Sequence, residues 1–469
     1  MKKLILIFVS SVLFAAADQS PELIFIHVTV IDVTGGVAKP DMTVVVRGNR
    51  IAAIEKTDAL VSHENGQVID ASGKFLIPGL WDSHVHLFNH ITVGPPNEYY
   101  LPLFIANGVT SVRDLWVKFD EIQQVQKWRD AVEQNELVAP RIQAVGTMVD
   151  GENPIWENSD TVSDADEARQ MVNKIKAAGI DFVKVYWNLS RDEYFAIADE
   201  AKKQKIPFEG HVPFVVRADE ASDAGQASIE HLTEIPMTCS NSEKKLRAVD
   251  PAVWDVSYDQ KLLDSYDSKK CNDVFLHFVK NGTWQCPTLV MFYKLADNEN
   301  DMLNDPRLKY IPADQRENWK SFIENLKKRS REQSEYGKNQ WKLNIQIVRE
   351  MHNAGVNFIA GTDISIDNSY IYPGFSLHDE LLHLVEAGLS PMEAIQSATR
   401  NPAKFMGKLN VLGTLEEGKI ADMVLLDANP LEDIRNTEKI NAVVLNGRIF
   451  DKAALQKMLT VAEMSARKK

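Results

Sequence analysis

The stretch FLIPGLWDSHVHL, residues 75–87, decides the fold. An apolar run closes at Gly79 and Leu80, and a polar segment that carries His84 and His86 follows at once. Successive side chains of a β-strand point to opposite faces, so two histidines separated by one residue share a face. The pattern therefore predicts a strand that presents both imidazoles together near its end.

Seven further strand-like segments follow, and helical patterns alternate with them. They are GVTSVRDL (108–115), RIQAVGTMV (141–149), DFVKVYWN (181–188), PFEGHVP (207–213), SIEHLTE (228–234), TWQCPTLVMF (283–292) and NFIAGTDI (357–364). Eight strand–helix units predict an α/β fold of the (β/α)8 TIM-barrel type. In such a barrel the active-site side chains lie at the carboxyl ends of the strands.

The two ends of the chain have a different pattern, with β-branched runs separated by glycine, asparagine and aspartate. From it we predict a small composite β-sandwich domain built from residues 18–77 and 408–469. The barrel then occupies residues 78–407, with helical insertions near 236–280 and 294–345.

The amino terminus, MKKLILIFVSSVLFAAADQS, has two lysines, an apolar run and three alanines. This order predicts a signal peptide over residues 1–17 and a periplasmic or secreted mature protein. The apolar run is short for a membrane span, so we expect no stable membrane insertion after cleavage. A retained amino-terminal anchor is the alternative.

The amino-acid composition limits the classes of molecule that the protein is expected to bind. The net charge is -14 and no basic stripe offsets it, which disfavours nucleic acid and leaves a small molecule or dipeptide as the expected substrate. A homo-oligomer stays open. With three cysteines there is no disulfide framework, but Cys239 and Cys271 form the most plausible bridge in an oxidising compartment. Cys286 lies in an apolar run and is expected to be a buried thiol.

Side chains that bind metals fall near the ends of five predicted strands. They are His84 and His86 on the first strand, Lys184 on the fourth, His211 on the fifth, His231 on the sixth and Asp363 on the eighth. Because the strand ends meet at one mouth of a barrel, we expect all six side chains to converge there. His90 follows the first pair closely and is expected to line the pocket without binding metal.

With these motifs the chain resembles the amidohydrolase superfamily, whose members join a β-sandwich to a (β/α)8 barrel. The resemblance covers nearly the whole mature chain and points to the imidazolonepropionase-like and Xaa-Pro dipeptidase (prolidase) branch. It implies two divalent metal ions, for which zinc suits the imidazole and carboxylate ligands. The implied ligands are His84, His86 and Asp363 for the more buried ion, His211 and His231 for the second, and Lys184, carboxylated by carbon dioxide, between them.

The resemblance also implies a reaction. A hydroxide bridging two metals would attack the amide or peptide bond of an Xaa-Pro dipeptide or N-acyl amino acid. Asp363 would be the catalytic proton shuttle to the leaving amine. Tyr186 and Arg113 are the candidates for contact with a substrate carboxylate. Alternatively, Tyr186 is a core aromatic residue and Arg113 pairs with a carboxylate of the protein.

Other activities compete with this interpretation. A deaminase or cyclic-amide hydrolase with one metal usually lacks the lysine, and many carry glutamate at the position of Phe214. A lactone or ester hydrolase could use the same ligand set. A non-enzymatic binding protein on a degraded barrel is disfavoured because no ligand position is substituted.

Overall fold

The computed structural model describes residues 22–59, 66–90, 98–249, 254–296, 299–365 and 367–468. The predicted signal peptide, residues 1–17, lies outside these ranges. Among the residues described, no helix is long and apolar enough to cross a membrane.

The strands belong to two sheets, one from the chain ends and one from the middle of the chain. In chain order they are β1 (Leu23–Val30), β2 (Lys39–Arg47), β3 (Arg50–Lys56), β4 (Gln67–Asp70), β5 (Phe75–Pro78), β6 (Leu80–Val85), β7 (Val109–Asp114), β8 (Arg141–Asp150), β9 (Asp160–Thr161), β10 (Phe182–Val185), β11 (Phe208–Gly210), β12 (Ser228–Glu230), β13 (Trp284–Cys286), β14 (Met423–Leu426), β15 (Ile440–Leu445) and β16 (Arg448–Asp451).

The helices lie mainly between the strands of the second sheet. They are α1 (Leu101–Ala106), α2 (Ile122–Glu133), α3 (Ala165–Ala177), α4 (Arg191–Gln204), α5 (Ala218–Asp223), α6 (Ile235–Thr238), α7 (Glu243–Leu246), α8 (Val256–Asp264), α9 (Ser268–Asn281), α10 (Leu289–Tyr293), α11 (Glu299–Leu303), α12 (Ala313–Lys327), α13 (Arg331–Ala354), α14 (Phe375–Glu386), α15 (Pro391–Ser397), α16 (Arg400–Phe405) and α17 (Lys452–Ala466).

The terminal sheet joins both ends of the chain in the order β16-β15-β14-β5-β1-β2-β3, with β4 beside β1. Strand β14 pairs antiparallel with β5, so Val424 lies opposite Ile77. Alternate residues of β14 face different cores: Met423 contributes to a core inside the terminal domain, and Val424 packs on the barrel core. This two-residue period explains why a sheet made from distant segments can be buried on both faces.

The barrel strands are parallel in the order β6, β7, β8, β10, β11, β12 and β13. The eighth segment, residues 357–364, closes the ring through two parallel bridges, Gln285 with Phe358 and Val85 with Ile364. It makes no continuous ladder, yet Asp363 N donates to His84 O at 2.8 Å. The α/β barrel with a sheet domain from the termini is thereby confirmed.

Gly361 allows the eighth segment to approach its neighbours. A Cβ atom at this position would lie 2.6 Å from Cys286 Sγ and 2.7 Å from His84 Cβ. Any larger residue would therefore push the segment outward and displace Asp363, two residues further on.

Helices α6 to α9 occupy the predicted insertion near 236–280, and α11, α12 and most of α13 occupy the one near 294–345. A disulfide joins Cys239 to Cys271 and so ties the end of α6 to α9, as predicted. Cys286 is buried and free, also as predicted. In the second insertion Trp319 and Ile323 of α12 form a small core with Tyr370.

Candidate metal centre and substrate cavity

Imidazoles from three parts of the barrel meet at its mouth. The ring centroids of His84 and His86 are 5.3 Å apart, those of His84 and His231 4.5 Å, and those of His211 and His231 4.8 Å. All four histidines are buried, or nearly so. Each lies at the end of a barrel strand or directly after it. The predicted convergence of the four histidines is therefore present in the fold.

Asp363 lies against the first histidine pair. Its Oδ1 atom is 3.2 Å from His84 Nε2 and 3.0 Å from His86 Nε2. On the other side of the His84 ring, Nδ1 lies 2.8 Å from Glu230 Oε2. Glu230 is fully buried, which opposes ionisation, but Arg113 and His84 hold its pKa below the ordinary range. An ionised carboxylate only accepts, so Nδ1 of His84 donates to Glu230.

The other ring nitrogen of His84, Nε2, is then the atom turned toward Asp363 Oδ1, where both atoms could bind one cation. Ligand atoms around a tetrahedral zinc ion with bonds of about 2.0–2.1 Å lie about 3.3 Å apart. The distances of 3.0 and 3.2 Å to Asp363 Oδ1 come near that spacing, so His84, His86 and Asp363 fit a metal ion.

The imidazoles of His211 and His231 have contacts of their own. His231 Nδ1 lies 2.7 Å from Thr288 Oγ1, and the His211 ring packs 4.2 Å from that of Tyr186. Burial lowers the pKa of His231 and of His86 to about 3 and that of His211 well below its usual value. Neutral imidazole is the form that binds metals.

Two of the candidate ligands sit on left-handed backbone, with φ of 58° at His231 and 60° at Asp363. This conformation costs roughly 1–2 kcal/mol for a residue with a Cβ atom. Such strain persists where the surrounding fold enforces it, and it is concentrated at functional sites.

Lys184 is 2% exposed and lines the same cavity as His86, His211, His231 and Asp363. Burial lowers its pKa to about 8, against the pull of nearby carboxylates such as that of Asp363. A substantial fraction of the amine is thus neutral under mildly alkaline conditions. A neutral amine is the form that adds to carbon dioxide, which suits the predicted carboxylation.

Arg113 does not lie where a substrate could contact it, which corrects its predicted role. Its side chain is 0% exposed in the barrel interior. There the guanidinium donates to Glu209 Oε2 at 2.5 Å, Glu230 Oε1 at 2.9 Å and Ser228 Oγ at 3.1 Å. Arg113 therefore holds Glu230, which in turn orients His84. This arrangement matches the alternative prediction, that Arg113 pairs with a carboxylate of the protein.

Above the histidines opens a cavity of about 650 Å³. Ten aromatic side chains line it, those of Phe88, Trp116, Trp156, Tyr186, Trp187, Phe214, Trp254, Tyr258, Phe292 and Tyr336. Helices α8 and α13 of the two insertions contribute to this wall, so the insertions shape the space above the barrel mouth.

Tyr186 lies in the cavity wall, where its hydroxyl accepts a hydrogen bond from Trp156 Nε1 at 2.9 Å. The hydroxyl keeps a donor to offer, so the predicted contact with substrate stays a prediction. His90 also lines the cavity, and its Nε2 lies 2.8 Å from Glu121 Oε2.

The chain matches the Amidohydrolase family over residues 75–450, a range that includes the barrel and both of its joins to the terminal sheet. The chain belongs to the amidohydrolase family. Ochratoxinase of Aspergillus niger is 39% identical over 102 residues, which make up 21% of this chain and 20% of that protein. The chain thus spans about a fifth of the length of this curated relative.

Two solved structures share the fold of this amidohydrolase. Bottromycin amidohydrolase superposes with a TM-score of 0.72 at 21% identity, covering 96% of this chain and 92% of the other. A Xaa-Pro dipeptidase with bound methionine gives a TM-score of 0.65 at 20% identity, covering 92% and 100%. Hydrolysis is common to these relatives, and identities this low leave the substrate open.

Four residues of the amidohydrolase site were missed in the sequence. Glu230 had a detectable signal, because a glutamate directly before a strand-end histidine in an apolar segment is unusual. For Thr288, Lys294 and Asn368 the sequence contains no such signal. They contact the site only through the folding of segments that follow the seventh and eighth strands.

Proposed function

We propose that this amidohydrolase cleaves an amide or peptide bond of an Xaa-Pro dipeptide or N-acyl amino acid, using two divalent metal ions. Zinc is the expected metal. The carrying observation is the meeting of four imidazoles, Asp363 and a buried lysine of lowered pKa at the mouth of the barrel, beneath one cavity. The signal-peptide pattern of residues 1–17 supports a periplasmic or secreted enzyme.

The proposed ligands divide as the resemblance implied. His84, His86 and Asp363 would hold one ion, and His211 with His231 would hold the second. Nζ of Lys184 would form a bond to the carbon of carbon dioxide and release one proton. The resulting carbamate would offer its two oxygens as further metal ligands. When bound, the ions supply a water-derived nucleophile at neutral pH and polarise the scissile carbonyl.

Asp363 is the proposed proton carrier. Its Oδ1 faces the imidazoles, and its Oδ2 accepts from Asn368 Nδ2 at 3.1 Å. The amide fixes the carboxylate at the cavity wall, where substrate would enter. There Asp363 would take a proton from the attacking water and give it to the leaving nitrogen as the bond breaks.

Metal content and hydrolysis test the proposal together. Zinc-loaded enzyme is assayed against Xaa-Pro dipeptides and N-acyl amino acids, and bound zinc is counted by elemental analysis. We expect two equivalents of zinc and hydrolysis that a chelator abolishes. A single tightly bound ion would favour the deaminase alternative, and ester or lactone cleavage without amide cleavage would reject the proposed bond.

Two variants test the number of zinc ions that the enzyme binds. Lys184→Ala is expected to retain one zinc ion and lose the other, because the bridging carbamate is gone. Lys202→Ala removes an exposed lysine of α4 and is the matched control, expected to bind zinc as the parent does. Two zinc ions in Lys184→Ala would contradict the bridging role.

A further inference from the structure

Lys294 is a second buried cation in the cavity wall, and the proposed metal ligands do not include it. It follows α10 directly, is 8% exposed and lines the cavity together with Asp363. Its Nζ donates to Asn368 Oδ1 and, at 3.2 Å, to Ser369 O. Both acceptors are uncharged, and within the described part of the chain no carboxylate forms an ion pair with this ammonium.

An ammonium group has three N–H donors, and these two contacts use two of them. Burial lowers the pKa of Lys294 to about 8, so the group is still mostly charged at pH 7. A buried charge without an ion-pair partner is unfavourable unless an opposite charge approaches. An anion that enters the cavity would meet the unused donor and a charge that Asp363 offsets only through space, without an ion pair.

The position of Lys294 indicates which anion this is. Asn368 accepts from Lys294 and donates to both Oδ2 and the backbone oxygen of Asp363, at 3.1 and 2.8 Å. The side-chain amide of Asn368 therefore lies between the ammonium group of Lys294 and the carboxylate of Asp363. In the proposed function this carboxylate protonates the leaving nitrogen. In an amino acid, a single carbon separates this nitrogen from the α-carboxylate. A group that binds the carboxylate must therefore lie beside the proton donor, as Lys294 does.

No other cation of the cavity is available for this role. The lysines among the described lining residues are Lys184 and Lys294, and no arginine lines the cavity there. Lys184 belongs to the proposed metal set, and Arg113 is enclosed in the barrel interior.

We propose that Lys294 binds the α-carboxylate of the leaving amino acid and so selects amides and peptides that end in a free carboxylate. This inference rests on the proposed amide hydrolysis. Lys294 acts on specificity, while the bond cleavage itself belongs to the residues around Asp363.

The test compares two probes that differ only in this charge: N-benzoyl-L-phenylalanine and N-benzoyl-L-phenylalaninamide. The zinc-loaded parent should hydrolyse the carboxylate probe with the higher kcat/KM. Lys294→Met, which keeps the length of the side chain without its charge, should lower kcat/KM for the carboxylate probe about 10- to 100-fold, mainly through KM. The fall in kcat/KM for the carboxamide probe should be much smaller, and a zinc content and circular dichroism spectrum equal to the parent's should show that the variant is folded.

Lys320→Met, an exposed lysine of α12 paired with Glu317, is the matched control and should retain the parent's preference. An equal fall for both probes in Lys294→Met indicates a structural role and overturns the proposal, as does an unchanged preference. If the parent cleaves neither probe, the proposed function fails for this substrate class. Calorimetric binding of the two probes to the same zinc-loaded proteins then decides: tighter binding of the carboxylate, lost in Lys294→Met, supports the assignment, and its absence rejects it.

Discussion

Replacing Glu230 by glutamine tests whether the network beneath the metal centre orients His84. The Glu230 carboxylate accepts from His84 Nδ1 at 2.8 Å, from Arg113 at 2.9 Å and from Ser228. Glutamine has nearly the same shape, but one of its two terminal groups is a donor. That donor must face either the imidazole N–H or the guanidinium, so one buried donor loses its acceptor.

The expected losses of folding free energy and of metal affinity follow from these contacts. An unsatisfied buried donor costs about 1–3 kcal/mol of folding free energy. Loss of a carboxylate behind a metal-binding histidine lowers metal affinity about 10- to 100-fold. We expect Glu230→Gln to show both effects at once. A variant that only unfolded more easily would indicate that His84 keeps its orientation without the carboxylate.

The assay is zinc competition against a chromogenic chelator, with urea unfolding of the same samples. Glu209→Gln is the matched control, since Glu209 also accepts from Arg113 at 2.5 Å but makes no contact with His84. Burial raises the pKa of Glu209 to about 7, so about half of its carboxyl groups are already neutral at that pH. Unchanged zinc affinity in Glu230→Gln, or an equal loss in both variants, would refute the role given to Glu230.

Three further predictions concern protonation and cross-linking. The rate at which zinc and a fixed concentration of dissolved carbon dioxide restore the metal-free enzyme should increase as the pH rises towards about 8, because the lowered pKa of Lys184 makes a growing fraction of the amine neutral. A lysine at its usual value of 10.5 would be only about 0.3% neutral at pH 8. A rate that is flat from pH 7 to pH 8 would contradict this. Burial raises the pKa of Glu380 from 4.5 to about 8 in the folded state, so its contribution to stability is complete below pH 4.5 and is lost as the pH rises towards 8. The advantage of Glu380→Gln in unfolding free energy should therefore grow by up to about 1.4 kcal/mol per pH unit across that window, and urea titrations that show parallel stability curves would count against it. Replacing Cys239 and Cys271 together by serine opens a cross-link between residues 32 apart and should cost about 3–4 kcal/mol, which equal urea midpoints for variant and parent would disprove.

The sequence was sufficient where the signal is local or follows from strand order. His84 and His86 share a strand face because of the two-residue period, and this period is legible in five residues. Lys184 was conspicuous among apolar neighbours. Parallel strands bring their carboxyl ends to one mouth, so chain order alone indicated that these side chains meet.

Arg113 shows where such reasoning ends. It occupies a predicted strand end like the histidines, yet its side chain points into the barrel interior. The pairing of β7 with β8 shifts in register between Val112 and Arg113, where Gln143 is an extra residue of β8. No local pattern in the sequence marked that shift.

The sequence by itself determined the barrel, the terminal sheet domain and the candidate metal-binding positions. Strand periodicity depends only on neighbouring residues, and strand order is the order of the segments along the chain. Only the tertiary structure placed Glu230 behind His84, Arg113 behind Glu230, and Lys294 beside Asn368, 74 positions away. Such contacts depend on register, on left-handed turns such as the one at Asp363, and on how the insertions fold back over the barrel. These are consequences of long-range packing, in which each contact exists only once the others have formed.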